Sequence, residues 1–275
     1  MLQCLYEDEG ILVVVKPAGY ESQEGGTISK DMVSEIRNYL AKKPGEPGGI
    51  PYVGVVHRLD KPVQGVMVYA KTKEAAAALS RQVSEKTEEA LEKAHAPKKN
   101  RKGAEKKLQR EAKKETKTTG MEKVYYALVW DEKALVKPEG EERRDLLMVS
   151  KKEKKAYICP EGALEVPKRE DAKPAILYYE VVTEEMPQCF LVAMSMLRDM
   201  PVKLLRVQLQ TGRFHQIRAQ LSAAGFPVVG DTKYAEGLSS EAGMKNRMLP
   251  LCLCAYSLTF TNPSSGKRET YRFPE

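Results

Sequence analysis

Six short runs rich in β-branched and aromatic residues constrain this chain more than any other feature. They are "YVGVVH", "GVMVYAKT", "KVYYALVW" (Lys123 to Trp130), "AILYYEVV" (Ala175 to Val182), "VKLLRVQLQ" (Val202 to Gln210) and "LCLCAYSLTF". Each reads as a strand, because such side chains suit a pleated, half-buried surface. "ILVVV" (Ile11 to Val15) adds a buried strand, with the turn-rich "KPAGYESQEGG" after it. A turn at "NPSSG" precedes a last extended piece, "YRFP". Helices are fewer. Ser29 to Lys43 is one candidate, and "KEAAAALSRQVSEK", alanine-rich without Gly or Pro, is a second. A third begins near Gly212, where Ile217, Leu221 and Ala224 follow i, i+4, i+7 spacing and Gly225 sits at the cap position. Strands outnumber helices and several are adjacent without helical crossovers, so the expected class is α+β with a largely antiparallel sheet.

At 275 residues the chain is expected to form a single domain spanning 1–275. One segment breaks the pattern. Between Glu92 and Gly120 the only large aliphatic residue is Leu108, and Lys and Glu dominate. That composition buries too little to offset its ordering entropy, so residues 88–119 read as a charged basic insertion, disordered or a solvated helix. From Glu85 to Gly120 there are 12 Lys+Arg against 7 Asp+Glu, which accounts for most of the net charge of +7. Global basicity is therefore weak evidence for a nucleic-acid partner, and the insertion reads as surface decoration before it reads as an RNA-gripping arm. "ILVVV" is far shorter than the about 20 residues of a membrane span, and no signal peptide is visible. Five cysteines form no CxxC pair, which favours free thiols in a reducing, cytoplasmic setting and no zinc site.

The stretch "HRLDKPVQG", His57 to Gly65, concentrates chemistry. Its likeness to a kinase catalytic loop fails on spacing: Leu59 intervenes before Asp60, Gly65 stands five residues after Asp60, and the chain holds no DFG and no GxGxxG. No GxSxG offers a hydrolase nucleophile. Only three histidines exist, and two without a Cys or carboxylate cluster make a poor metal site. Asp60 could be a turn aspartate bonding its own backbone, although Arg58 and Lys61 beside it invite an anionic partner. Arg218 falls at the margin of the third helix's buried face, where it needs a carboxylate that Asp60 could provide.

Four separated stretches resemble the RluA family of pseudouridine synthases: "ILVVVKPAG", "HRLDKPVQGVMVYAKT", "KVYYALV" and "TGRFHQIRAQLSAAGFPVVGDTKY". Order and rough spacing agree, from about Leu12 to Phe273. The resemblance implies a mixed but largely antiparallel central sheet, flanked by helices and loops, with a catalytic cleft. It implies isomerisation of uridine to pseudouridine in structured RNA, either ribosomal or transfer RNA, with no cofactor and no metal. Asp60 would be the catalytic aspartate, acting on the ribose side of the uridine by attack at C1′ or by taking a 2′ proton. Arg218 would pair with Asp60 and hold it charged, and Tyr125 would lie against the detached base with its phenol near C5. Arg58 would enter the space left by the extruded uridine. His57 would brace the loop, and Gly212, Arg213 and His215 would shape the RNA approach. No S4-type RNA-binding module is expected, and the enzyme is expected to act as a monomer without membrane attachment. The competing expectation is a catalytically silent RNA-binding or RNA-folding protein on the same fold. Three departures from the family pattern stand out: Val63-Gln64 in place of Thr-Ser, Phe214 in GRFHQIR in place of Thr, and Cys254 in LCA in place of His.

Overall fold

The computed structural model describes residues 2–25, 29–43, 49–95, 119–159, 171–183 and 187–274. Eleven strands form one sheet: β1 (Gln3–Glu7), β2 (Ile11–Lys16), β3 (Gly54–Val55), β4 (Gln64–Ala70), β5 (Glu122–Trp130), β6 (Glu141–Ser150), β7 (Lys155–Cys159), β8 (Lys173–Val181), β9 (Val202–Leu209), β10 (Leu253–Thr261) and β11 (Arg268–Arg272). The order is β1-β2-β4-β10-β5-β9-β8-β6-β7, with β3 added to β4 and β11 to β10. Of these pairings only β10 with β4 is parallel, so the expected mixed, largely antiparallel sheet is the one observed. Helices α1 (Met32–Leu40), α2 (Lys73–His95), α3 (Leu191–Met196), α4 (Gln216–Ala223) and α5 (Ser240–Met248) pack around it.

The central strands are buried on both faces, and alternate residues feed separate cores. Leu12, Val14, Met67, Tyr69, Tyr125, Ala127 and Val129 join α1 and α4 side chains on one face. Ile11, Val13, Val66 and Val68 meet α2 on the other, and Tyr126, Leu128 and Trp130 meet α3 and α5 there. One row crosses the sheet where the parallel pair meets the antiparallel ones. Gly65 opposes Ala255, Ala255 opposes Tyr125, and Tyr125 opposes Val207. That row carries Tyr125 and sits five residues after Asp60, so the sheet register sets how far apart the two can be.

Element ends depart from the sequence expectation for local reasons. The first helix is trimmed to Met32–Leu40 because the Asp31 carboxylate accepts the Ser34 amide at 2.9 Å, an N-cap that fixes the start. The third starts at Gln216, since His215 holds a left-handed φ of 52° that no helix continues through. Gly225, at φ 91°, closes it as expected. "YVGVVH" keeps only Gly54–Val55 as strand. Helix α2 runs on to His95, so residues 88–95 of the expected insertion are helical, and 96–118 lie outside the described residues.

Gly65 has φ 144°, and a Cβ there would stand 2.4 Å from the Ala255 carbonyl oxygen. Gly65→Ala should cost about 2–3 kcal/mol through strain and forced separation of β4 from β10. Urea unfolding of the variant against the parent checks this.

Candidate active site

Residues His57 to Asp60 alternate in exposure as a loop pinned from below must. His57 is buried, Arg58 exposed, Leu59 buried and Asp60 half-buried. The His57 Nε2 accepts the Val68 amide at 3.1 Å, which places its proton on the buried Nδ1, and that atom has no partner among the described residues. Burial, then the nearby Lys123 charge, holds its pKa well below the ordinary histidine value, so the ring is a neutral brace. Ser22 grips Leu59 at both ends, accepting its amide at 2.9 Å and donating to its carbonyl at 2.7 Å. The Lys16 ammonium, buried, donates to the carbonyls of Pro17, Tyr20 and Lys61 at 3.0, 2.7 and 3.1 Å. It ties the "KPAG" loop to the turn holding Asp60. Burial lowers its pKa to about 8 against the opposing charges of Asp60 and Glu21.

The turn itself is closed by backbone, Val63 N–H to Asp60 C=O at 3.0 Å. The carboxylate is therefore not spent on its own loop. Arg218 Nη1 donates to Asp60 Oδ2 at 3.2 Å, and the His215 Nε2 faces the same oxygen at 3.6 Å, a polar contact longer than a hydrogen bond. Among the described residues Oδ1 has no hydrogen-bond partner.

The expectation that Asp60 is the carboxylate Arg218 requires is half of the answer. Arg218 is only 6% exposed, and its other edge is bound bidentately by Asp231, Nε to Oδ2 at 2.7 Å and Nη2 to Oδ1 at 2.9 Å. Burial works against the charged guanidinium, yet the bonds and charge of Asp231, then those of Asp60, outweigh it and raise its pKa. Asp231 in turn accepts the amides of Lys233 and Tyr234 at 2.9 and 3.0 Å. Asn246 of α5 takes the Gly230 amide at 2.6 Å and donates to the Asp231 carbonyl at 3.3 Å, fixing the turn that presents it. The Tyr234 ring lies 5.0 Å beneath the guanidinium.

Tyr234 and Asp60 together set the tautomer of His215. The Tyr234 hydroxyl accepts the Ala156 amide at 2.7 Å and lies 2.8 Å from His215 Nδ1; because a carboxylate oxygen faces Nε2, the neutral ring is best satisfied with its proton on Nε2 and with Nδ1 accepting the Tyr234 hydroxyl. Burial, helped by Arg218 and Lys233 and partly opposed by Asp60, lowers the His215 pKa to about 4. Phe214 stacks on this ring at 3.8 Å and is itself exposed.

Tyr125 is buried in the sheet row described above. Burial first, then the charge of Asp60, pushes its pKa above the ordinary tyrosine value, so the phenol stays protonated. Arg213 is anchored through Nε to the Pro174 carbonyl at 3.0 Å. Gly212 is exposed, and a Cβ there would meet nothing within 4 Å, so packing does not require glycine at that position. The structure thus brings Asp60, Arg218, His215 and Tyr125 together, turns His57 inward, and leaves Arg58, Gly212 and Phe214 at the surface. Asp231, Tyr234, Ser22 and Lys16 carry no expected role in the sequence reading. "GDTKY" contains Asp231 and Tyr234 and "KPAG" contains Lys16, while Ser22 lies in the turn-rich stretch that follows it. Among the described residues no group of three or more His, Cys, Asp or Glu is arranged to hold a metal ion, and no helix is long and apolar enough to cross a membrane.

A buried arginine–aspartate pair, a second, half-buried aspartate on the remaining guanidinium nitrogen and a buried, sheet-borne tyrosine form a cluster in which one carboxylate oxygen is left for acid–base or nucleophilic work. The profile of the RNA pseudouridylate synthase family matches residues 10–95 and 102–223, and the chain belongs to that family. It is similar to an uncharacterized RNA pseudouridine synthase of Aquifex aeolicus, 28% identical over 277 residues, covering 100% of this chain and 69% of that one. It is also similar to the ribosomal large subunit pseudouridine synthase D of Zymomonas mobilis, 25% identical, covering 97% of this chain and 67% of the relative. In fold it resembles human RNA pseudouridylate synthase domain containing 1, with a TM-score of 0.65 at 20% identity, covering 100% of this chain and 84% of that chain.

Asp231→Asn keeps the shape but strips the buried guanidinium of its main counter-charge, and should destabilise the protein by about 3–5 kcal/mol in chemical denaturation. His215 gives a pH signature. Its folded pKa lies below the ordinary 6.5, so the stability it contributes is complete above pH 6.5 and is lost as pH falls towards 4. Asparagine tolerates the left-handed backbone there, so in His215→Asn the loss of unfolding free energy across that window should be smaller by roughly 3 kcal/mol. Denaturation curves across the window measure it.

Proposed function

We propose that this chain isomerises uridines in structured RNA, ribosomal or transfer, to pseudouridine, with Asp60 as the catalytic carboxylate. The contact between Arg218 Nη1 and Asp60 Oδ2 at 3.2 Å carries the reading. It holds one carboxylate oxygen and leaves Oδ1 as the oxygen that addresses the ribose. In the reaction the C1′–N1 bond breaks, the base turns, a C1′–C5 bond forms, and the C5 proton leaves as N1 gains one. Nothing is oxidised and nothing is hydrolysed, so no cofactor is invoked.

Tyr125 supports the detached base with its ring and its O–H. Its raised pKa favours a platform and hydrogen-bond donor over a resident base for the C5 proton. Arg58, exposed beside Asp60, takes the place of the extruded uridine in the RNA stack. Neutral His215 presents its Nε2–H to Asp60, and Arg213 borders the approach. A single catalytic unit acting as a monomer in the cytoplasm completes the reading, and the one continuous sheet supports the first part of it.

The test uses RNA from cells lacking the gene. Incubated with the parent protein, it should acquire mass-silent, carbodiimide-reactive uridine conversions. Asp60→Asn should give none while still binding the RNA within a few-fold of the parent. Turnover by the Asn variant would remove Asp60 from its role, and tight binding without conversion by the parent would favour a silent RNA-binding protein.

A further inference from the structure

The sheet ends in a hairpin that the sequence reading did not anticipate. β6 and β7 pair from Leu146–Cys159 to Ser150–Lys155, and the loop between them, residues 151–154, reads Lys-Lys-Glu-Lys. Lys151, Lys152 and Lys154 are exposed and make no ion pair among the described residues. The lone acid, Glu153, accepts the Tyr157 hydroxyl at 2.6 Å and forms no ion pair with these lysines, so one carboxylate at most offsets three ammonium groups and the tip keeps a net positive charge.

A protective role for edge lysines does not account for this pattern. β7 is the outer strand, and charges along such a strand guard its unpaired backbone. The lysine in the strand is Lys155, and its ammonium is already engaged, 2.7 Å from Glu236 and over the rings of Tyr157 and Tyr234. The three unpaired lysines sit on the tip, away from that edge. Lys154 moreover holds a left-handed φ of 49°, a position where glycine or asparagine is the unstrained choice. A lysine there carries backbone strain that glycine would not, and strained positions of this kind cluster at functional sites.

The hairpin is tied to the site by three contacts. Ala156 donates to the Tyr234 hydroxyl at 2.7 Å, that hydroxyl donates to His215 at 2.8 Å, and Lys233 Nζ reaches the Lys154 carbonyl at 2.9 Å. His215 faces Asp60. The tip therefore has a fixed offset from the reacting carboxylate, unlike a charged segment attached by one end.

We propose that the β6–β7 tip is a phosphate clamp, in which Lys151, Lys152 and Lys154 hold the RNA backbone flanking the uridine at Asp60. This rests on the RNA-isomerase reading and adds to it the surface that grips the substrate strand. Lysine suits the task, as a mobile point charge that reads backbone without reading bases.

The experiment is fluorescence anisotropy with a labelled stem-loop RNA carrying uridines in stem and loop, titrated at several salt concentrations. Replacing all three tip lysines by glutamine should lower the slope of log affinity against log salt by about 2–3, at roughly 0.7–0.9 per phosphate contact. The parent's advantage in affinity should then shrink by about 20- to 40-fold between 50 and 200 mM salt. The corresponding triple arginine variant should keep the parental slope, which separates lost charge from a damaged hairpin. A glutamine variant with the parent's slope and affinity overturns the clamp, while uridine conversion by the parent leaves the isomerase reading standing. A parent that shows the lysine-dependent slope but converts no uridine does the reverse.

Discussion

The site depends on how one buried guanidinium is divided. Arg218 is taken out of water by its helix, and that burial is tolerable only because Asp231 covers the Nε and Nη2 edge bidentately. What remains is Nη1, a donor with a fixed direction, and Asp60 is the group it meets. The rigidity runs further back. Asp231 is set by two backbone amides and by Asn246, whose side-chain oxygen also accepts the indole N–H of buried Trp130 at 2.9 Å. Helix α4 is locked to β8 through Gln216, which donates to the Ile176 carbonyl at 3.1 Å. A donor placed this way needs no reorganisation when charge shifts on the carboxylate, which is how a protein stabilises a transition state more than a ground state.

Two carboxylates about one guanidinium leave the cluster with an excess negative charge, since His215 and Tyr125 are neutral. That suits chemistry begun by an ionised carboxylate and disfavours approach of a polyanion. The cations outside the cluster resolve the conflict by position. Arg58 and Lys61 stand beside Asp60 on the surface, Arg213 borders the site, and Lys16 lies beneath it. Basic charge is thus arranged around an acidic centre, an arrangement that on the proposed reading separates attraction for RNA from the carboxylate.

How much of this the sequence disclosed follows from where each interaction lives. The central strands were legible because "ILVVV", "GVMVYA" and "KVYYALVW" are buried on both faces and advertise it. β6 and β7 were not, because "EERRDLLMVS" and "KAYIC" lie towards the sheet's edge, where charged side chains on the solvent side mask the alternation. The pairing of Asp60 with Arg218 spans 158 positions and was reachable only through the buried-arginine argument and the family resemblance. The same argument stopped one carboxylate short. Spacing along a helix says that an arginine needs a partner, but a bidentate fit to Asp231 depends on the turn after Gly230, whose φ of 77° cannot be read from composition. His57 and His215 looked alike in sequence, each beside arginines. Burial and the tautomers imposed by Val68 and by Tyr234 with Asp60 give them different work.

The departures from the family pattern sort by the same geometry. Val63 is buried in the main core, and Cys254 lies on the sheet face opposite Tyr125, packed with Tyr126, Phe190 and Leu204. Both are sealed from solvent, at 2% and 0% exposure, so neither contributes to the surface around Asp60. Gln64 opens β4, opposite Cys254 in the parallel pairing. Phe214 differs from these because it is exposed, stacked on the imidazole that faces Asp60, and open on its other side to solvent. An aromatic face there favours an unstacked base or sugar over a hydrogen-bonding group, since every base has a π-face and few protein contacts tolerate sequence so well. Of these departures, phenylalanine in place of threonine at position 214 is the one that changes an exposed surface beside His215 and Asp60, so under the proposed function it is the one positioned to alter substrate choice.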